Sequence, residues 1–138
     1  MSRYISKKDR KFVAKRANNC CEYCLMPEAF SLIGFEIDHI IAIKHGGSND
    51  IDNLAFACAI CNYRKGTDIG TILLPDPQYI RFFNPRIDQW EAHFELSGYS
   101  INAKSSIGEG TVKIFQLNEL RRIEERELLI LAGLFPHR

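Results

Sequence analysis

Apolar and polar positions change their spacing several times along the chain, and each change marks an element. Ser6-Lys7-Lys8-Asp9 sets a capping serine three residues before a carboxylate, which predicts a short helix to about Ala17. Pro27 to Gly34 reads as a loop. Phe35-Glu36-Ile37-Asp38-His39-Ile40-Ile41 is rich in β-branched and aromatic residues and predicts a strand. Lys44 to Asp50 is a turn, with Gly46-Gly47 and Asn49-Asp50 as breakers, and Ile51 to Ala57 returns as a second strand. A helix is predicted from Cys58 to about Lys65, where Gly66 is placed to end it.

The character changes after Thr67. Leu73-Leu74-Pro75-Asp76-Pro77 reads as a connector, and Trp90 with Phe94 predicts a short helix with an aromatic face. Tyr99 to Ala103 predicts a strand. From about Gly110, Ile114, Leu117, Leu120, Ile123, Leu128 and Leu131 fall near helical spacing and predict one or two helices, with Asn118 capping the second.

Composition narrows the class. The chain has 138 residues, 46% hydrophobic and 25% charged, which suits a single domain over 1–138 and excludes wholesale disorder. No apolar run approaches the roughly 20 residues that span a bilayer, so no membrane partner is expected. No apolar stretch follows the charged start, and a cytoplasmic location is the expectation. The net charge of +1 argues against binding a polyanion by bulk attraction. The average conceals a divide, because residues 1–16 hold seven basic groups against Asp9 alone. That segment is either a basic arm for a polyanion or a solvated helix face.

Five cysteines stand in two groups. Cys21-x-x-Cys24 and Cys58-x-x-Cys61 each supply two thiolates from one tight turn, and together they make a four-thiolate set for structural Zn²⁺. A redox C-x-x-C is the rival for either pair alone, and a thiol–disulfide oxidoreductase is the function it would imply. Cys20 is left over and reads as a free buried thiol. The 33 residues between the pairs are too many for a simple ribbon loop, so an element is folded inside them.

Cys21-Glu22-Tyr23-Cys24, Ile37-Asp38-His39-Ile40-Ile41, Gly46-Gly47, Asn53-Leu54 and Cys58-Ala59-Ile60-Cys61-Asn62-Tyr63-Arg64-Lys65-Gly66 together resemble an HNH endonuclease. The likeness covers roughly residues 20–66. Phe82-Phe83-Asn84-Pro85-Arg86, with Trp90 and His93-Phe94, also resembles a C-terminal extension of small bacterial HNH proteins. The implied fold is α+β. A ββα-metal core over 20–70, pinned by the zinc site, follows a basic helix within 1–19 and precedes a mainly helical extension over 71–138.

The resemblance also implies roles. His39 is the candidate general base, since an imidazole accepts a proton near neutrality. Asp38 and Asn62 are implied ligands of a catalytic Mg²⁺ or Mn²⁺, ions that favour oxygen donors. Adjacent strand residues face opposite sides, so Asp38 and His39 are expected to address a phosphate from two directions. Asn53 is implied to orient the imidazole, through its side chain or its backbone, and by itself it also suits an Asx turn. Arg64 and Lys65 are expected at DNA phosphates, joined by Lys8, Lys11 and Lys15 of the basic helix. His45 is expected at the surface, and Trp90 and His93 in packing roles. The function implied is metal-dependent hydrolysis of DNA, with double-stranded DNA as the partner. The alternative is a zinc-stabilised nucleic-acid-binding module without catalysis. A homodimer would serve the cutting of two strands, and the sequence leaves that open.

Overall fold

The computed structural model describes residues 4–137, so Arg3 of the basic segment lies outside it. Helix α1 spans Lys7–Arg16, and Ser6 caps it by accepting from the Asp9 amide at 3.1 Å. Val13 is the one residue that α1 buries. It joins Ile5, Leu54 and Phe56 in a small apolar cluster. Arg16 fastens the end of α1 to the loop and strand beyond, donating to the carbonyls of Ile51 (3.0 Å) and Leu54 (2.8 Å).

Strand β1 (Glu36–His39) pairs antiparallel with β2 (Leu54–Ala57) in the register Asp38↔Ala55 and His39↔Leu54. Both strands are shorter than the sequence pattern suggests, because residues 51–53 tighten into a 3₁₀ turn before β2. All four residues of β2 are buried. Helix α2 (Ala59–Lys65) follows directly. Cys58 caps it through Sγ, and Gly66 ends it at φ 53°. The order strand, strand, helix is thus the one expected, in an α+β molecule.

Beyond α2 come the hairpin of β3 (Gly70–Leu73) and β4 (Gln78–Arg81), then α3 (Trp90–His93) and the hairpin of β5 (Phe94–Ser97) and β6 (Ser100–Ala103). Helices α4 (Ser106–Phe115) and α5 (Leu120–Leu131) complete the chain. Both late helices are present, and β6 sits where a strand is expected. The first hairpin departs from the sequence pattern. Leu74 to Pro77 is its turn, and its four-residue strands are half-exposed or exposed throughout, so no buried face patterns them. Helix α4 starts four residues before Gly110, capped by Ser105, whose Oγ accepts from the Gly108 amide at 3.0 Å. Glycine is required at 108, where a Cβ would overlap the His93 carbonyl. Asn118 does not cap α5. Its amide brackets Ile101 instead, accepting from the amide and donating to the carbonyl at 2.8 Å each.

One apolar cluster joins the two C-x-x-C turns to the extension, running from Cys21 to Phe135. Tyr23 packs on Phe115 at 5.1 Å and edge-on to Phe83, Phe82 meets Phe115 at 5.1 Å, and Trp90 lies on Phe94 at 5.0 Å. Each such ring contributes about 1.5–3 kcal/mol by burial alone. Trp90 also donates from Nε1 to the Tyr23 carbonyl at 2.9 Å, in line with its expected packing role. Among the described residues, no helix is long and apolar enough to cross a membrane.

Candidate metal centre and catalytic cleft

The two C-x-x-C turns converge. Sγ atoms of Cys21, Cys24, Cys58 and Cys61 all lie within 4.8 Å of one another and are buried. A tetrahedral zinc about 2.3 Å from each sulfur spaces the sulfurs about 3.8 Å apart. Cys24 and Cys58 stand at 3.7 Å, so the donor set fits the ion. In each turn a backbone amide faces the first sulfur: Cys24 N to Cys21 Sγ, and Cys61 N to Cys58 Sγ, both 3.4 Å. These dipoles offset part of the thiolate charge. Cys20 is buried but outside the four, its Sγ 3.5 Å from the carbonyls of Asn18 and His137.

Four thiolates around one Zn²⁺ would carry a net charge of −2, and α5 places an arginine against them. Arg122 donates from Nη2 to Cys61 Sγ at 3.0 Å and from Nη1 to the Phe115 carbonyl at 2.8 Å. Burial acts to lower the Arg122 pKa, and the thiolate charges of Cys61, Cys24 and Cys58 outweigh it and raise it. Arg126, 1% exposed, donates to the carbonyls of Tyr99 and Leu117. Helix α5 is therefore turned against its pattern. Arg122 and Arg126 go inward, while Leu120, Leu128 and Leu131 are each about 70% exposed.

Residues Asp38 and His39 of β1 and Asn62 of α2 line one cleft of about 230 Å³, with Ala42, Ile43, Gly66 and Thr67. Asp38 and His39 both border this space. Asp38 is only 4% exposed. Its Oδ2 accepts from Tyr23 Oη at 2.7 Å, and Lys65 Nζ lies 3.2 Å from Oδ2 and 3.3 Å from Oδ1. Burial pushes the Asp38 carboxyl above the usual carboxylate range, against the opposing pull of Lys65 and Tyr23. Burial, followed by the Asp38 charge, pushes the Tyr23 phenol up and keeps it a donor.

Lys65 corrects an expectation. It is 1% exposed and ties Asp38 to the His39 carbonyl, to which it donates at 2.9 Å. A buried ammonium already so engaged is not presented to a DNA phosphate. A basic residue on the last turn of a short helix looks solvent-facing in sequence, and only the position of β1 draws it inward. Arg64 remains at the surface, but it is paired with Glu119 at 3.5 Å and lies over the Tyr63 ring. Lys8, Lys11 and Lys15 are exposed on α1, as expected, and so is His45.

The Asn53 side chain does not reach the imidazole. Its Oδ1 accepts from the Ile41 amide, and its Nδ2 donates to the carbonyls of Ile41 and Ser48, each at 2.9 Å. Its own carbonyl accepts from the Ile40 amide at 2.9 Å. The side chain braces the segment after β1 without touching the imidazole. Gly47 is part of the brace, since a Cβ there would overlap the Ile41 carbonyl and stand 2.9 Å from Asn53 Nδ2. The amide that does meet the imidazole is Asn49, whose Oδ1 is 2.8 Å from His39 Nε2. Asn49, Tyr23 and Arg122 are not among the site residues expected from the sequence. Tyr23 carries a signal in its place inside the first C-x-x-C. The other two read as a turn residue and a solvated helix residue. His93 bonds Ser105 Oγ through Nδ1 at 2.6 Å and lies 3.7 Å from Asp88, away from the cleft.

Searches of curated proteins and of solved structures return no match. A family model does match, and its span begins at the first zinc knuckle and closes just past α2. The segment that carries the four cysteines, the β1–β2 hairpin and the cleft, residues 21–68, matches the family model described as HNH endonuclease.

Proposed function

We propose that the protein is a metal-dependent endonuclease that hydrolyses DNA phosphodiester bonds. The observation that carries this reading is the meeting of Asp38, His39 and Asn62 on one cleft within the matched segment. Hydrolysis needs an activated water and a stabilised leaving oxygen, roughly in line through phosphorus. His39 takes the proton of the attacking water. Asp38 and Asn62 would hold a Mg²⁺ or Mn²⁺. The fit is adequate, because Asp38 Oδ1 accepts only the long bond from Lys65 and keeps a lone pair, and Asn62 adds an amide oxygen at the same cleft. When bound, such an ion stabilises charge on the leaving oxygen.

Lys65 and Tyr23 fix the Asp38 carboxylate, while Asn53 and Gly47 fix the segment that follows His39. The exposed lysines of α1 supply a phosphate-binding surface. Zinc in the four-cysteine site is structural, because all four positions are taken by protein sulfur. The continuous cluster from Cys21 to Phe135 supports reading the chain as one domain.

The test is plasmid nicking with Mg²⁺, Mn²⁺ or EDTA. Cleavage should require the divalent ion, and His39→Ala should lower the rate at least about 10²-fold, the range for a positioned base. Activity that survives EDTA, or a His39→Ala rate equal to the wild type, would refute the reading. Salt-sensitive binding without cleavage in any divalent ion would favour the non-catalytic module.

A further inference from the structure

We propose that Asn49 is the positioning residue of His39, setting which imidazole nitrogen carries the proton. This assignment rests on the reading of His39 as the general base, and it begins with the orientation of the Asn49 amide. The amide nitrogen, Nδ2, donates to the Tyr4 carbonyl at 3.4 Å. A carbonyl can only accept, so that bond turns the NH₂ end of Asn49 toward Tyr4 and leaves Oδ1 facing His39. Oδ1 in turn can only accept, and it lies 2.8 Å from His39 Nε2. In the neutral ring Nε2 therefore carries the hydrogen, and Nδ1 carries the lone pair. Nδ1 is then the atom that receives the proton of the attacking water.

The brace around Asn53 shows why the task falls to Asn49. Both polar atoms of the Asn53 side chain are committed to Ile41 and Ser48, and none is left for the ring. By closing the segment between Ile41 and Ser48, Asn53 and Gly47 hold Asn49, one residue further on, in place against His39. The Tyr4 end of the chain of bonds lies three residues before α1, the helix that bears Lys8, Lys11 and Lys15. The tautomer of the base is thus tied to the backbone that leads into the basic helix.

The experiment reads the tautomer directly. Histidine side-chain ¹⁵N spectra of the full chain are recorded at a pH where the imidazoles are neutral, for wild type, Asn49→Ala and Asn49→Asp, with His39→Ala to assign the signal. Single-turnover cleavage and DNA affinity are measured on the same samples. Wild-type His39 should show the Nε2–H pattern. Asn49→Ala should give a mixture of tautomers, with cleavage at saturating DNA about 10- to 100-fold slower and DNA affinity unchanged. Asn49→Asp keeps an acceptor at the same atom and should retain the Nε2–H pattern and most of the rate. It also keeps the proposal testable should Asn49→Ala fold poorly. An Nδ1–H wild type, a pure Nε2–H signal in Asn49→Ala, or loss of that pattern in Asn49→Asp would overturn the proposal. Failure of the nuclease reading looks different: no DNA is cut, or His39→Ala cuts normally, while the spectra still decide the role of Asn49.

Discussion

Removing the Lys65 ammonium isolates the cost of holding Asp38 inside the fold. In Lys65→Met the side-chain volume is nearly kept, but the bonds to Asp38 and to the His39 carbonyl disappear. Asp38 then stays buried at 4% exposure with Tyr23 Oη as its remaining side-chain donor. Breaking one side of a buried ion pair costs about 3–5 kcal/mol, which lowers the melting temperature by about 9–15 °C at roughly 3 °C per kcal/mol.

The loss should depend on pH in a definite sense. Burial already raises the Asp38 pKa in the wild type, and without Lys65 it rises further. Between the unfolded and folded values, the folded variant holds a proton that the unfolded chain has released. Stability then falls as pH rises. The deficit of Lys65→Met is therefore largest above the folded Asp38 pKa, and it shrinks as pH falls through that value toward the unfolded one of about 3.9. Thermal melts across pH measure this, and Lys65→Met with Asp38→Asn should recover much of the loss at neutral pH. Melting of the single variant at the wild-type temperature, or a deficit that grows on acidification, would refute the reasoning.

Cys58→Ser should lower the melting temperature well beyond His39→Ala, because structural zinc contributes directly to folding; melts alongside metal content check this. Arg122→Met removes the donor to Cys61 Sγ and should speed loss of zinc to a chelator about 10- to 100-fold, read with a metal-sensitive dye. Replacing Lys8, Lys11 and Lys15 together by Gln should weaken DNA binding and flatten the dependence of log affinity on log salt, by up to about 0.9 for each phosphate no longer neutralised. An unchanged slope would exclude α1 from the DNA surface.

Much of the core was legible in the sequence because its signals are local. A capping serine, C-x-x-C turns, a pair of short apolar strands around Gly46-Gly47 and a helix closed by Gly66 each act within a few residues. The same locality explains why Cys20 could be set aside, since the two-residue gap alone makes the better knuckle. The α5 helix marks the limit of such reasoning. Leu120, Leu128 and Leu131 fall near helical spacing and read as a core face, yet they are exposed and Arg122 and Arg126 are turned inward. The negative charge of the four sulfurs and the carbonyls of Phe115, Leu117 and Tyr99 outcompete apolar burial there. None of these partners is near α5 in sequence except through the turn that precedes it.

The candidate cleft divides in the same way. By itself the sequence determined which residue types are present: a carboxylate, an imidazole and an amide, held by a four-cysteine frame. Only the tertiary structure decided how they are partnered. It buried Lys65 against Asp38 rather than offering it to DNA, drew Tyr23 from the first knuckle onto the same carboxylate, and gave the imidazole to Asn49 instead of Asn53. Motif spacing records the elements that carry these groups. Hydrogen-bond partners depend on distances of about 3 Å between elements far apart in the chain, and packing alone sets those.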